Sequence, residues 1–459
     1  MIHRYQKKGL NFVLDVNSGA VHLLDDISYA VSGLLDENMG DTCPQSIVDA
    51  LPDYTADEIR EAYDELYELK KAGQLFAQDD YIDVSRYIPV NAPVKALCLH
   101  VAHDCNLRCK YCFASTGDFG QGRKIMPPEI AKKAIDFVIA RSGVRHNIEV
   151  DFFGGEPLMA WDTVTQTVDY ARSLEEKHNK KFRFTITTNG LLLDEDKRKY
   201  INENMDNCVL SLDGRREVND EFRKTVAGTG SYDTIVPKFK ALVDERDPNL
   251  DYYARGTFTS HNLDFAEDVL SIADAGFDRL SVEPVTADPG CGYDLTEDDL
   301  PKIEAEYDRL TDIMLERKKE GKPFTFFHFM VDLDQGPCVV KRLRGCGAGY
   351  EYVAVTPDGD IYPCHQFVGK DEFKQGSVLD QSFNMDIAQK FAGMNIYSRP
   401  KCQKCWAKFY CSGGCSAANY NMNHDMNDSY DLGCEMERKR LECAIYLKAM
   451  DKICANQSK

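Results

Sequence analysis

Between residues 95 and 325 six apolar, β-branched runs alternate with helical stretches, and this alternation limits the fold more than any other feature. The runs are "ALCLHVA", "IEVDFFG", "RFTITTN", "NCVLSLD", "YYARGTFT" and "RLSVEPV"; stretches such as "PPEIAKKAIDFVIARS" separate them. Such alternation predicts parallel strands joined by crossover helices, as a barrel or a doubly wound sheet. In both, ligands collect at the carboxyl ends of the strands. Three cysteines follow the first run, "GGEP" the second, "TTNG" the third and "SLDG" the fourth. The polar and glycine-rich motifs therefore share one end of the predicted sheet.

The cysteines lie in "HDCNLRCKYCFA", which places Cys105, Cys109 and Cys112 within eight residues and no fourth nearby. A structural zinc site closes its sphere with four ligands, and a four-iron cluster normally takes four thiolates. A triad leaves one metal position for something else, although three such thiols alone also suit a three-ligand zinc site. The chain holds 17 cysteines, nine of them between Cys338 and Cys443. The start, "MIHRYQKKGLNFVLDV", lacks the apolar run of an export signal. No stretch approaches the roughly 18 apolar residues of a membrane helix. These features predict a cytoplasmic protein with no membrane partner, whose thiols stay reduced and serve metal rather than disulfides. A net charge of −20 argues against nucleic acid, because phosphate binding rests on cations.

A chain of 459 residues is too long for one ordinary core. Three segments are predicted: 1–85, 95–325 and 330–459. In the first, "LNFVLDV" and "AVHLL" are strands joined by "NSG", and "DDISYAVSGLLDE" is a helix. A second helix follows Thr55, where Thr55 and Glu58 have capping-box spacing. Ile59, Ala62, Tyr63, Leu66 and Leu69 give it an apolar stripe, and Gly73 ends it. Strands with short helices resemble a winged helix-turn-helix. Yet residues 1–85 carry 6 Lys/Arg against 17 Asp/Glu, so DNA is a poor partner. An exposed strand edge would instead capture a peptide by strand addition.

In the third segment, twelve residues separate Cys346 from Gly359 and four more precede Cys364. Cys402, Cys405, Cys411 and Cys415 follow as C-x2-C-x5-C-x3-C, with Cys434 eighteen residues on. Read alone, Cys402 to Cys415 also fits a zinc knuckle. Cys43, Cys98, Cys208, Cys291, Cys443 and Cys454 lack ligand spacing and read as ordinary small buried residues.

C-x3-C-x2-C with Tyr111 before the last cysteine, followed by Gly154-Gly155-Glu156-Pro157, resembles the radical S-adenosylmethionine (SAM) superfamily. The resemblance implies a partial (β/α)6 barrel. In it Cys105, Cys109 and Cys112 hold three irons of a 4Fe–4S cluster, and the fourth iron binds SAM. It further implies SAM contacts from Tyr111, Gly154, Gly155, Glu156 (the amino group), Asn189, Ser211 (the ribose), and Arg223 and Arg255 (the carboxylate). Asn189 also reads as a residue that only shapes its turn. The C-terminal pattern resembles the SPASM extension, which holds two auxiliary 4Fe–4S clusters. By that resemblance one cluster uses Cys346, Cys364 and Cys415 with Cys338 as its candidate fourth ligand. The other uses Cys402, Cys405, Cys411 and Cys434. Three clusters and SAM are thus the implied cofactors.

The N-terminal segment and the stretches "RGCGAGYEYVAVTPDGDIYPCHQFVG" and "KCQKCWAKFYCSGGCSAANY" most resemble the SCIFF-peptide maturases, within the sactipeptide and ranthipeptide enzymes. That resemblance implies a winged-helix domain gripping the leader of a short Cys-rich precursor, a Cys-to-Thr thioether product, and a small electron donor such as flavodoxin or ferredoxin. Related SPASM enzymes, of the sulfatase-maturing or epimerising kind, are the alternative. A metal-binding regulator or zinc-stapled module without activity is the other.

Overall fold

A computed structural model describes residues 1–83, 92–333 and 339–457. Cys338, the candidate eighth C-terminal ligand, lies outside the described residues.

The chain opens with three antiparallel strands in sequence order, β1 (Ile2–Lys7), β2 (Leu10–Asp15) and β3 (Val21–Leu24). The first strand was not expected from the sequence. It is joined to β2 by the two-residue turn Lys8-Gly9, both with positive φ (51° and 77°), the geometry that matches strand twist in a tight hairpin. Helices α1 (Asp26–Ser32), α2 (Gln45–Ala50) and α3 (Ala56–Lys71) cover one face. The Thr55–Glu58 capping box is formed, and Ile59, Ala62, Tyr63 and Leu66 are buried against Val13 and Val31. The other face packs elsewhere. Tyr5, Phe12 and Leu14 meet Ile445 and Tyr446 of the long C-terminal helix Asp431–Gln457.

The six runs between 95 and 325 form six parallel strands that pair in sequence order. They are Ala96–His103, Asn147–Gly154, Lys181–Thr188, Asn207–Ser211, Asp251–Phe258 and Arg279–Pro284. Among the described residues the first and sixth do not pair, so the curved sheet stays open as a partial barrel. Crossover helices including Pro128–Arg141, Trp161–His178 and Tyr232–Asp244 cover its outer face. Phe182, Phe184, Ile186, Leu210 and Phe239 are fully buried there, each contributing about 1.5–3 kcal/mol of burial. Thr185 and Thr187 point the opposite way and are only half-buried, because the inner face lines a cavity.

The cysteine-rich segment does not sit apart from this sheet. Tyr352–Val355 pairs in parallel with Ala96–Leu99, adding a strand to the free edge of the first barrel strand. An uncovered edge is a template for unwanted pairing, and here the chain uses it itself. The C-terminal helix then packs on Leu300–Lys319, with Leu432, Met436, Cys443 and Ala444 joining the barrel core. Among the cysteines expected to be buried spacers, Cys98, Cys208 and Cys443 are buried and Cys43 is half-buried, but Cys291 and Cys454 are exposed. Spacing alone carries no burial information for a cysteine in a loop or near a chain end. No described helix is long and apolar enough to cross a membrane.

Candidate functional site

A cavity of about 240 Å³ lies at the carboxyl end of the barrel strands. The structure brings Cys105, Cys109, Cys112, Tyr111, Gly154, Gly155, Glu156, Asn189, Ser211, Arg223 and Arg255 onto its wall. These positions span 150 residues of sequence and five strands, and strand-end placement is what unites them.

The cysteine loop is pinned to the end of the second strand by close backbone approach. Gly155 donates its N–H to Ala102 O at 2.6 Å, and Glu156 to Asp104 O at 2.8 Å. A Cβ on Gly154 would stand 2.2 Å from Ala102 O, and one on Gly155 2.0 Å from Asp104 O. No residue but glycine fits either place. Burial pushes the Cys105 and Cys109 thiols up to about 12 and raises Cys112 less, because backbone amides of Ala114, Thr116 and Gly117 face its sulfur. Such thiols ionise only when a cation is bound to them.

Glu156 is 1% exposed and its carboxyl is pushed up to about 7 by burial. Three protein donors already reach it: Leu158 N–H at 3.0 Å, Thr188 hydroxyl at 2.7 Å and Asn189 N–H at 2.8 Å. Its evident work is to brace the turn that carries Asn189. That residue in turn donates to Asn106 Oδ1 at 2.8 Å and to Cys105 Sγ at 3.5 Å. Asn189 also accepts Leu191 N–H, so it shapes its turn and touches the cysteine loop together.

Asp213, in "SLDG", is the hub that sequence reading missed. It is fully buried and accepts from the Tyr111 hydroxyl at 2.6 Å, Arg223 at 3.0 Å and Thr257 N–H at 2.9 Å. The Arg223 guanidinium lies 5.6 Å from the Tyr111 ring centre, with its Nε unpartnered among the described residues. It is the positive charge nearest Cys109. Arg255 stands apart from it, half-exposed and bonded to Glu283 at 2.6 Å. Across the cavity lie Phe113, Phe153 and His365, none singled out from the sequence. His365 follows Cys364, its Nδ1 pairs with the Tyr352 hydroxyl at 3.2 Å, and burial holds its ring near a pKa of about 4, so it is neutral.

Two further cysteine groups occupy the C-terminal segment. Cys402, Cys405, Cys411 and Cys434 line a mostly apolar cavity of about 320 Å³. Cys364 lies within electrostatic reach of Cys346 and Cys415. Among the described residues, no three His, Cys, Asp or Glu side chains are arranged for a single metal ion. The four-cysteine cavity has the thiol donors and room that suit a cluster.

Residues 99–251 match the radical SAM superfamily, and residues 346–406 match the SPASM iron–sulfur cluster-binding domain. A cysteine-type anaerobic sulfatase-maturating enzyme of Clostridium novyi is 25% identical over 354 residues, covering 72% of this chain and 90% of its own. The anaerobic sulfatase-maturating structure anSMEcpe with bound AdoMet shares the fold at a TM-score of 0.64 and 20% identity, covering 80% of this chain and all of its own. Streptococcus suis SuiB bound to its precursor peptide SuiA gives a TM-score of 0.52 at 16% identity, covering 92% of this chain and 96% of its own. The chain thus carries a radical SAM domain followed by a SPASM domain, is homologous to the anaerobic sulfatase-maturating enzymes, and takes SAM and 4Fe–4S clusters as cofactors.

Proposed function

We propose that the protein is a SPASM-type maturase that holds a short Cys-rich precursor peptide by its leader and joins a Cys sulfur to a carbon of a Thr. The observation that carries this reading is the N-terminal sheet with its three helices. The anSMEcpe fold covers 80% of this chain, whereas the fold of the S. suis protein solved with its precursor peptide covers 92%. A strongly acidic domain with the free edge of β3 suits capture of a peptide strand.

In this reading Cys105, Cys109 and Cys112 hold the SAM-binding cluster. Cys346, Cys364 and Cys415 hold one auxiliary cluster, whose fourth position is left to a substrate thiolate, with Cys338 as the candidate resting ligand. Cys402, Cys405, Cys411 and Cys434 hold the other. SAM bound at its cluster would supply radical chemistry able to take a hydrogen atom from the substrate. Arg223, a planar fork suited to a carboxylate, would hold that group of SAM, and Ser211 would hold its ribose. Tyr111 and Asp213 fix Arg223 in place, while Glu156 and Asn189 hold the cysteine loop. Phe113 and Phe153 add apolar wall to the same cavity. A flavodoxin or ferredoxin delivers the electron.

Sulfatase-type maturation is the second reading, favoured by identity that extends over 90% of that relative. The two are separated with anaerobically reconstituted enzyme, SAM and a reductant. The assay offers a Cys-rich peptide with leader, the same peptide without it, and a leaderless peptide from a sulfatase. The leader-bearing peptide alone should lose two hydrogens and gain a reductant-stable thioether. Equal modification of the leaderless sulfatase peptide would overturn the thioether reading.

A further inference from the structure

One buried cation touches the loops of both C-terminal cysteine groups. Arg399 lies three residues before Cys402 and is 3% exposed. Its carbonyl accepts the Cys402 N–H at 3.0 Å. Its guanidinium reaches over to a different loop, donating to Gly413 O at 2.6 Å, Ser416 Oγ at 3.1 Å and Met426 O at 3.1 Å. Gly413 stands between Cys411 of one group and Cys415 of the other, and Ser416 follows Cys415. Gly413 has φ +88°, and a Cβ there would stand 2.2 Å from the guanidinium. The loop is shaped to admit this side chain.

Every hydrogen-bond partner of the guanidinium among the described residues is uncharged, and Nε has none. A buried cation without a counter-charge is costly, so the structure asks what balances it. Cys402, Cys411, Cys415 and Cys434 lie within electrostatic reach of it, and thiols carry the balancing charge once they ligate metal.

Resting on the cluster reading above, we propose that Arg399 is the positioning residue shared by the two auxiliary sites. It holds the Cys411–Cys415 loop and supplies the buried positive charge against which both sets of thiolates are balanced. A fixed cation in a low-dielectric interior favours the more negative, reduced state of a nearby cluster. One side chain then biases both auxiliary clusters in the same direction.

The test uses the full chain, Arg399→Lys and Arg399→Gln, each reconstituted anaerobically, with iron analysis and EPR-monitored reductive titration. In Arg399→Gln both auxiliary signals should shift to more negative potential, at least tenfold in the reduced-to-oxidised ratio, or about 59 mV for a one-electron couple. The signal that responds to SAM should stay in place, and Arg399→Lys should stay near the parent. Retention of the auxiliary signals in Arg399→Lys with their loss in Arg399→Gln also supports a need for the charge. Unchanged potentials in Arg399→Gln, or equal loss of the auxiliary signals in both variants, would overturn the proposal. Parent protein without auxiliary iron would overturn the cluster reading instead.

Discussion

Gly155→Ala tests whether the cavity is built by backbone contact between the second strand and the cysteine loop. The added Cβ would lie 2.0 Å from Asp104 O and 2.5 Å from its carbonyl carbon, both rigid backbone atoms. Real contacts of this kind rarely fall below 3.0 Å, so strand end and loop must separate by about 1 Å. Overpacking of this sort costs about 1–3 kcal/mol, which a domain this size survives. The larger effect falls on geometry. Asp104 precedes Cys105, so the separation moves the triad relative to Glu156, and a 1 Å misplacement costs roughly 100-fold in a positioned reaction. The assay is reductive cleavage of SAM to deoxyadenosine without peptide, with iron content measured on the same sample. The expected result is a folded protein with cleavage reduced about 100-fold. Cleavage at the parent rate would refute the argument that this contact sets the site.

Burial raises the carboxyls of Glu156 and Asp151 to about 7, so each binds a proton in the folded chain that the unfolded chain has already lost. Stability of the metal-free protein should therefore fall as pH rises from about 4.5 to about 7, and Glu156→Gln should flatten that fall in denaturant titrations. A slope unchanged in Glu156→Gln would show the carboxyl is not the source. Cys338→Ala should keep its iron and still form the crosslink, leaving an auxiliary position that a substrate thiolate can fill. Loss of about four irons together with all crosslinking would make Cys338 an obligatory ligand.

The strands and the motif ends were legible because each rests on a local signal. Apolar, β-branched runs alternating with helical stretches marked the six parallel strands, and Thr55–Glu58 spacing marked the start of α3. The cysteine triad, Glu156, Asn189 and Ser211 were legible because each follows a strand. Long-range choices were not. Tyr352–Val355 joins Ala96–Leu99 through a pairing that leaves no mark in either segment. β1 was missed because its turn places Lys8, rather than Asn or Gly, in the left-handed region. Asp213 and Glu283 sit at strand ends like the other motifs, so the same placement rule would have reached them. His365 enters the cavity only through the fold of the C-terminal segment, and no spacing rule places it there. The bracing work of Glu156 was hidden for a related reason. Sequence shows the carboxylate but not the three donors that already occupy it.

The central claim is that three cysteine groups each hold a cluster, and iron counting tests it most directly. After anaerobic reconstitution the protein should bind about twelve irons per chain and absorb visible light. A Cys105→Ala, Cys109→Ala, Cys112→Ala chain should bind about eight and no longer cleave SAM. Several equivalents of zinc with negligible iron in the parent protein would contradict the account.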